Sequence, residues 1–166
     1  MHLKRKAFEK KNDKTINKYN KQMQQTNTQI KEYTFKEIPI GLKQAFTKTI
    51  TQKDMQLFLE LSCDLNPLHN DENYAKQKNF SGRVVFGMLV ASTLSKLAGM
   101  HLPGKNSLIV STQINFLNPA FVGDTITIEG EVVEKKEFAN LIKVNYTINR
   151  DKDKLSAGNM LIKVLE

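Results

Sequence analysis

Cysteine is almost missing: the 166 residues hold one, Cys63. A single thiol excludes a disulfide framework and any all-cysteine metal site, and it suits a reducing compartment, so a cytoplasmic protein is expected. Long apolar runs are missing too. None approaches the ~18–20 residues that carry a helix across a bilayer, which excludes an integral membrane protein of that kind. Internal repeats, long linkers and a second apolar cluster are also lacking, so one domain is expected, in line with ~100–200 residues per domain. The remainder is ordinary for a globular chain, at 40% hydrophobic and 25% charged residues.

Charge is scarce outside one segment. Of the formal +8, residues 1–36 carry +7, leaving a nearly neutral body. Residues 1–33 read as a basic arm rich in Lys, Asn and Gln. Such a segment buries too little apolar surface to offset its ordering entropy, so a disordered or loosely helical arm is expected, followed by a domain over 34–166. A nucleic-acid role is not expected, because the arm lacks aromatic interleaving and a helix-turn-helix pattern. A mitochondrial presequence fits poorly with Glu9 and Asp13 inside it and no serine.

Within the body, Gln44 to Ile50 alternates weakly and reads as a strand. Thr51-x-x-Asp54 resembles a capping box, and Met55, Phe58, Leu59 and Ser62 follow at helical spacing, predicting an amphipathic helix to about Ser62. Cys63 to Gly82 is a polar loop around Pro67, with one short helix expected near Glu72 to Lys76. Val84 to about Gly99 is apolar on nearly every face, which predicts a helix of about sixteen residues buried on all sides. Four period-2 segments come next: Leu108 to Phe116, Ile126 to Val132, Ile142 to Ile148, and Met160 to Val164. Turn signals at Val122-Gly123-Asp124 and Asn149 to Lys154 divide them. Burial of the helix is best met by an α+β fold, in which an antiparallel sheet curls around it.

Chemistry concentrates at Cys63-Asp64-Leu65-Asn66-Pro67-Leu68-His69-Asn70-Asp71. Pro67 stiffens the turn and pushes Asn66 towards extended backbone, so Asp64 and His69 can aim at one point. A carboxylate and an imidazole converging on one water form a general acid/base pair. A plain surface hydrogen bond is the competing reading. A calcium loop fails, because His69 stands where glycine is needed and Ala75 where the closing glutamate is needed. A metal site from Asp64, His69 and Asp71 lacks a fourth ligand at familiar spacing, and no metal is expected. In the apolar helix, Gly87, Ala91 and Ser95 recur every four residues. They read either as close packing against a strand or as a groove for an extended substrate. Gly87 also leaves a backbone N–H near the positive helix end, where an enolate oxygen would be stabilised.

These residues resemble a known family. Asp64-Leu-Asn66-Pro67-Leu-His69-x-Asp71, followed by Arg83-Val-Val-Phe86-Gly87-Met-Leu-Val-Ala-Ser, looks like the MaoC-like dehydratases, or R-specific enoyl-CoA hydratases. The similarity runs from about residue 34 to the C-terminus, through Leu102-Pro103-Gly104-Lys105, Phe116, Pro119 and Val122-Gly123-Asp124. It implies a hot-dog fold, normally a homodimer, that hydrates trans-2-enoyl thioesters reversibly to (R)-3-hydroxyacyl thioesters. On this resemblance Asp64 and His69 fall on the catalytic pair, Asn66 on an orienting asparagine, Gly87 on the oxyanion donor and Ser95 on a supporting serine. Phe86, Ala91, Pro103 and Gly104 are then expected to bind substrate. No cofactor is implied, since CoA or an acyl-carrier protein belongs to the substrate. Two departures stand out: Phe86 where the family often has histidine, and Cys63 where it often has glycine. The alternatives are a thioesterase on the same fold and a non-catalytic acyl-thioester sensor whose basic arm contacts DNA.

Overall fold

A computed structural model describes residues 29–165. The basic arm read at 1–33 therefore lies, up to residue 28, outside the described residues. Strand β1 (Lys43–Thr49) leads through Thr51 into helix α1 (Gln52–Ser62). The capping box forms as the sequence suggests. The Thr51 hydroxyl accepts from the Asp54 N–H at 3.2 Å, and the Thr51 N–H donates to the Asp54 carboxylate at 2.8 Å. Burial works to raise the Asp54 pKa, but these bonds and the Lys48 ammonium 3.0 Å away outweigh it and hold it below the ordinary value. Two short helices, α2 (Pro67–Asn70) and α3 (Glu72–Gln77), fill the loop that follows.

The apolar run departs from the sequence reading. Val84 and Val85 are extended, with Val84 bridging Phe121 and the Val85 N–H donating to Ala120 O at 2.8 Å. Helix α4 begins only at Gly87 and runs to Lys96, then widens into a π-helical turn over Leu97–His101. Nor is it covered all round. Leu89, Val90, Leu94 and Leu97 are buried, whereas Met88 is 59% exposed and Ser92, Ser95 and Lys96 also face outward.

Strands β2 (Ser107–Phe116), β3 (Thr125–Lys136), β4 (Leu141–Arg150) and β5 (Asp153–Val164) join β1 in one antiparallel sheet, ordered β1-β3-β4-β5-β2. The inward residues of β3 and β4 are those the alternation marks: Ile126, Ile128 and Val132, then Ile142, Val144, Tyr146 and Ile148, all buried. Burying each such side chain is worth ~1.5–3 kcal/mol relative to exposure. Strand β2 behaves differently. It is an edge strand, open along nearly its whole length, and a bulge at Val110 breaks its alternation, so Ile109 rather than Leu108 or Val110 pairs with the buried Ile162.

The π-turn holds a titratable group of its own. His101 stacks on Phe46 with ring centres 4.9 Å apart, and its Nε2 is buried without a hydrogen-bond partner. Burial, then the Lys96 and Lys31 ammonium groups, push its pKa below the ordinary 6.5. The unfolded chain therefore takes up this proton more readily than the folded one. The resulting stability is complete above pH 6.5 and is lost as the pH falls through that value towards the folded pKa. His101→Gln should flatten the decline of melting temperature between about pH 7.5 and 5.5. Equal slopes for wild type and variant would remove His101 as its source.

Candidate active site

The site starts where α1 stops. The Cys63 N–H donates to Leu59 O at 2.9 Å, and Cys63 itself lies at φ 55, in the left-handed region that favours glycine at helix ends. A side chain there costs about 1–2 kcal/mol. Cys63→Gly is therefore expected to raise stability by about 1 kcal/mol in chemical denaturation; a variant no more stable than wild type would show the strain to be relieved locally.

From Asp64 to Asp71 the chain is bonded to itself at almost every step. The Asp64 carboxylate accepts from the Asn66 N–H at 3.0 Å, and the Asn66 carboxamide oxygen caps α2 at the Leu68 N–H, also at 3.0 Å. The Asn66 carbonyl accepts from the His69 N–H at 3.1 Å and from the Asn70 carboxamide at 3.1 Å. Asp71 spends its carboxylate on the first N–H groups of α3. Pro67 at the first position of α2 presets the helical φ. Among the described residues no three His, Cys, Asp or Glu side chains gather as metal ligands.

This loop is clamped to the segment before α4 by two bonds. The Val84 N–H donates to Leu68 O at 3.1 Å, and His69 Nδ1 lies 2.8 Å from Val84 O. A carbonyl only accepts, so Nδ1 carries the hydrogen, and in the neutral ring Nε2 keeps its lone pair. His69 lies on the wall of a cavity of about 290 Å³ that is otherwise mostly apolar, with Val85, Gly87, Val90, Phe116 and Leu155 among its lining; His69 is the one titratable residue in that lining. Gly87 opens α4, whose first turn has no side-chain cap. A Cβ on Gly87 would come within 3.2 Å of the Phe116 ring, so glycine keeps the cavity open beside the helix terminus. A larger groove of about 340 Å³ lies between Lys43, Ala45, Glu129 and Asn145 on the sheet face turned away from α4, and it holds neither histidine nor cysteine.

The expected site residues are thus divided. His69 and Gly87 share the cavity. Asp64 and Asn66 stand on the same bonded loop, exposed, and outside the cavity lining. Phe86 is buried, 2% exposed, with its ring against His69 rather than in the cavity wall. Ala91 is buried within α4, and Ser95 lies on its open face. Pro103 and Gly104 are buried beyond the π-turn, past the far end of a helix ~15 Å long. There the Pro103 carbonyl accepts from the Tyr33 N–H at 3.2 Å, and Gly104 packs against the Lys31 carbonyl, so the two anchor the start of the domain. Sequence reasoning missed the Val84 carbonyl, which has no side-chain signature, and the cavity wall formed by Val85, Val90 and Leu155.

Comparison with known proteins fits this geometry. Residues 35–153 match the model of the MaoC like domain. An (R)-specific enoyl-CoA hydratase of Rhodospirillum rubrum is 39% identical over 106 residues, 61% of this chain and 74% of that protein. A 3-hydroxybutyryl-CoA dehydratase of Methylorubrum extorquens is 28% identical over 130 residues, 78% and 83% of the two chains. Among solved structures, the (R)-hydratase of Aeromonas caviae involved in PHA biosynthesis superposes with a TM-score of 0.73 at 33% identity, covering 76% of this chain and 97% of the other. The curled sheet around α4 is accordingly the hot-dog fold, and the chain belongs to the family of MaoC-like domains.

Proposed function

We propose that this MaoC-like hydro-lyase adds water reversibly across the double bond of a trans-2-enoyl-CoA to give the (R)-3-hydroxyacyl-CoA. One observation carries the reading: an apolar cavity whose single titratable lining residue, His69, shares the wall with the uncapped helix terminus at Gly87. The relatives named as (R)-specific enoyl-CoA hydratases support it.

The conjugated thioester has an electrophilic C3 and a carbonyl able to hold negative charge. Water oxygen attacks C3, His69 and Asp64 together remove one proton from that water, and a proton is delivered to C2 on the same face. The two groups act as a coupled pair, so neither transfer is assigned to one residue. The Gly87 N–H stabilises the enolate oxygen, a contribution typically worth ~10²–10³-fold. Asn66 holds His69 through its carbonyl, and addition of water needs no redox or metal cofactor.

A homodimer completes the site in this reading. Among the described residues no strand pairs with the outer edge of β2, where Val110 is 54% exposed, and Met88 and Ser95 on α4 are open as well. Such edges are otherwise blunted by charge or cover, and a second copy supplies that cover. The lone, exposed Cys63 accords with a cytoplasmic setting.

The test is loss of enoyl-thioester ultraviolet absorbance with crotonyl-CoA and a longer enoyl-CoA, run with a free-thiol assay and light scattering. Absorbance loss without thiol release, from a dimer, is expected. Thiol release would make the protein a thioesterase instead, and a monomer with full activity would sink the dimer.

A further inference from the structure

We propose that Phe86 is the positioning residue that holds the His69 imidazole in one orientation and one tautomer. The inference rests on the acid/base reading of His69. Its ring centre lies 4.3 Å from that of His69, tilted by 36°, and Phe58 packs behind it at 5.1 Å. Phe86 is fully enclosed, so its ring cannot swing aside without opening the core.

The geometry divides the task between two neighbours of one short segment. The Val84 carbonyl holds the imidazole edge at Nδ1, and two residues later the Phe86 ring covers one imidazole face. The next residue, Gly87, starts α4. Residues 84–87 thus present a hydrogen-bond acceptor, an apolar plate and a helix-terminal N–H in succession. Loss of the carbonyl bond alone would let the ring flip. Loss of the plate would let it rock far enough to break that bond, and the tautomer would no longer be fixed. A polar residue at 86 would offer the imidazole a second hydrogen-bond partner, whereas phenylalanine offers none. Nε2 is then the ring's single polar outlet, and it is the nitrogen left without a hydrogen by the Val84 bond. Placement of a catalytic group matters at this scale, since an error of ~1 Å can cost ~10²-fold in rate.

The experiment compares wild type with His69→Ala, Phe86→Leu and Ile142→Val, the last a core truncation on β4 away from the cavity. Hydration kinetics over a pH series are combined with ¹⁵N spectra of the histidine rings, the His69 signals being assigned by their loss in His69→Ala. Neutral wild-type His69 should be a single Nδ1–H tautomer. Phe86→Leu should show mixed tautomers, a kcat lowered ~10–100-fold and a KM within about threefold. Ile142→Val should lose stability while its kcat stays within about threefold.

Full activity in His69→Ala overturns the acid/base reading beneath the proposal. An inactive His69→Ala beside a Phe86→Leu of normal kcat and unchanged tautomer overturns the proposal alone. Equal losses of kcat in Phe86→Leu and Ile142→Val would reduce Phe86 to a packing residue. If Phe86→Leu does not fold, the wild-type spectrum decides: an Nε2–H or mixed tautomer excludes positioning by Phe86 and Val84, and Phe86→Met, which keeps the bulk without the flat face, repeats the kinetic test.

Discussion

His69→Ala is expected to lower crotonyl-CoA turnover by ~10²–10⁴-fold, the usual contribution of a positioned acid/base group. Its cost to folding is small by comparison. The side chain is half-buried and makes one hydrogen bond, to Val84 O. Loss of such a bond costs about 1 kcal/mol, which shifts a domain of this size by roughly 2–4 °C. Asp64→Asn is the cleaner partner experiment. Asp64 is exposed, and an asparagine there retains an oxygen to accept the Asn66 N–H, so the loop keeps its shape while the carboxylate charge disappears. Turnover should fall severely with no change in melting temperature. The pair of results separates two accounts of the cavity. Both variants inactive and folded fits a shared water. An inactive His69→Ala with an active Asp64→Asn would leave His69 as the sole acid/base group, in keeping with the position of Asp64 outside the cavity lining.

Legibility in the sequence followed the range of the forces involved. Local signals were complete. Thr51 and Asp54 lie three residues apart, and their reciprocal bonds need nothing from the rest of the chain. Strand alternation was equally direct, because the inward residues of β3 and β4 meet the same core from fixed faces. The run from Val84 to Gly99 reads as helix from its first residue, and the structure departs from that for a physical reason. Continuous apolarity does not separate a buried extended segment from a buried helix, and pairing with Ala120, 35 positions away, decides that Val85 is extended. The open faces of α4 and β2 have another origin. Their apolar residues are patterned for cover, and the described residues do not supply it. In the site, the motif names His69 and Gly87, which line one cavity, but the atom bonded to the imidazole is a backbone oxygen fifteen residues on, invisible to residue identity. For Pro103 and Gly104 the resemblance implies substrate binding, and the structure adds backbone contacts to Lys31 and Tyr33 that no motif indicates.

A large loss of stability from a single methyl group is expected at Gly158. Tyr146 on β4 lies opposite Gly158 on β5, and because Gly158 has no side chain the Tyr146 hydroxyl reaches past it to donate to Gln113 O of β2 at 3.1 Å. The Ser156 hydroxyl does likewise to Asn115 O at 2.9 Å. These two bonds tie the edge strand to β4 and β5, and the Gln113 carbonyl lies within 1.9 Å of where a Cβ on residue 158 would sit, with the Tyr146 oxygen 2.7 Å from the same point. Neither atom is free to yield, since one is backbone and the other belongs to a buried ring. Gly158→Ala must therefore push β2 off the sheet or break the Tyr146 bond. Overpacking costs ~1–3 kcal/mol and an unsatisfied buried hydroxyl ~1–3 kcal/mol, so either route lowers the melting temperature by roughly 2–12 °C. Function should fail with it, because β2 carries Phe116 on the cavity wall. Gly82→Ala is the control: no atom lies within 4 Å of the added methyl, so its effect should stay within ~0.5 kcal/mol. A Gly158→Ala protein that melts with wild type, dimerises and turns over substrate would show that β2 follows a different path, and the cavity built on it would have to be redrawn.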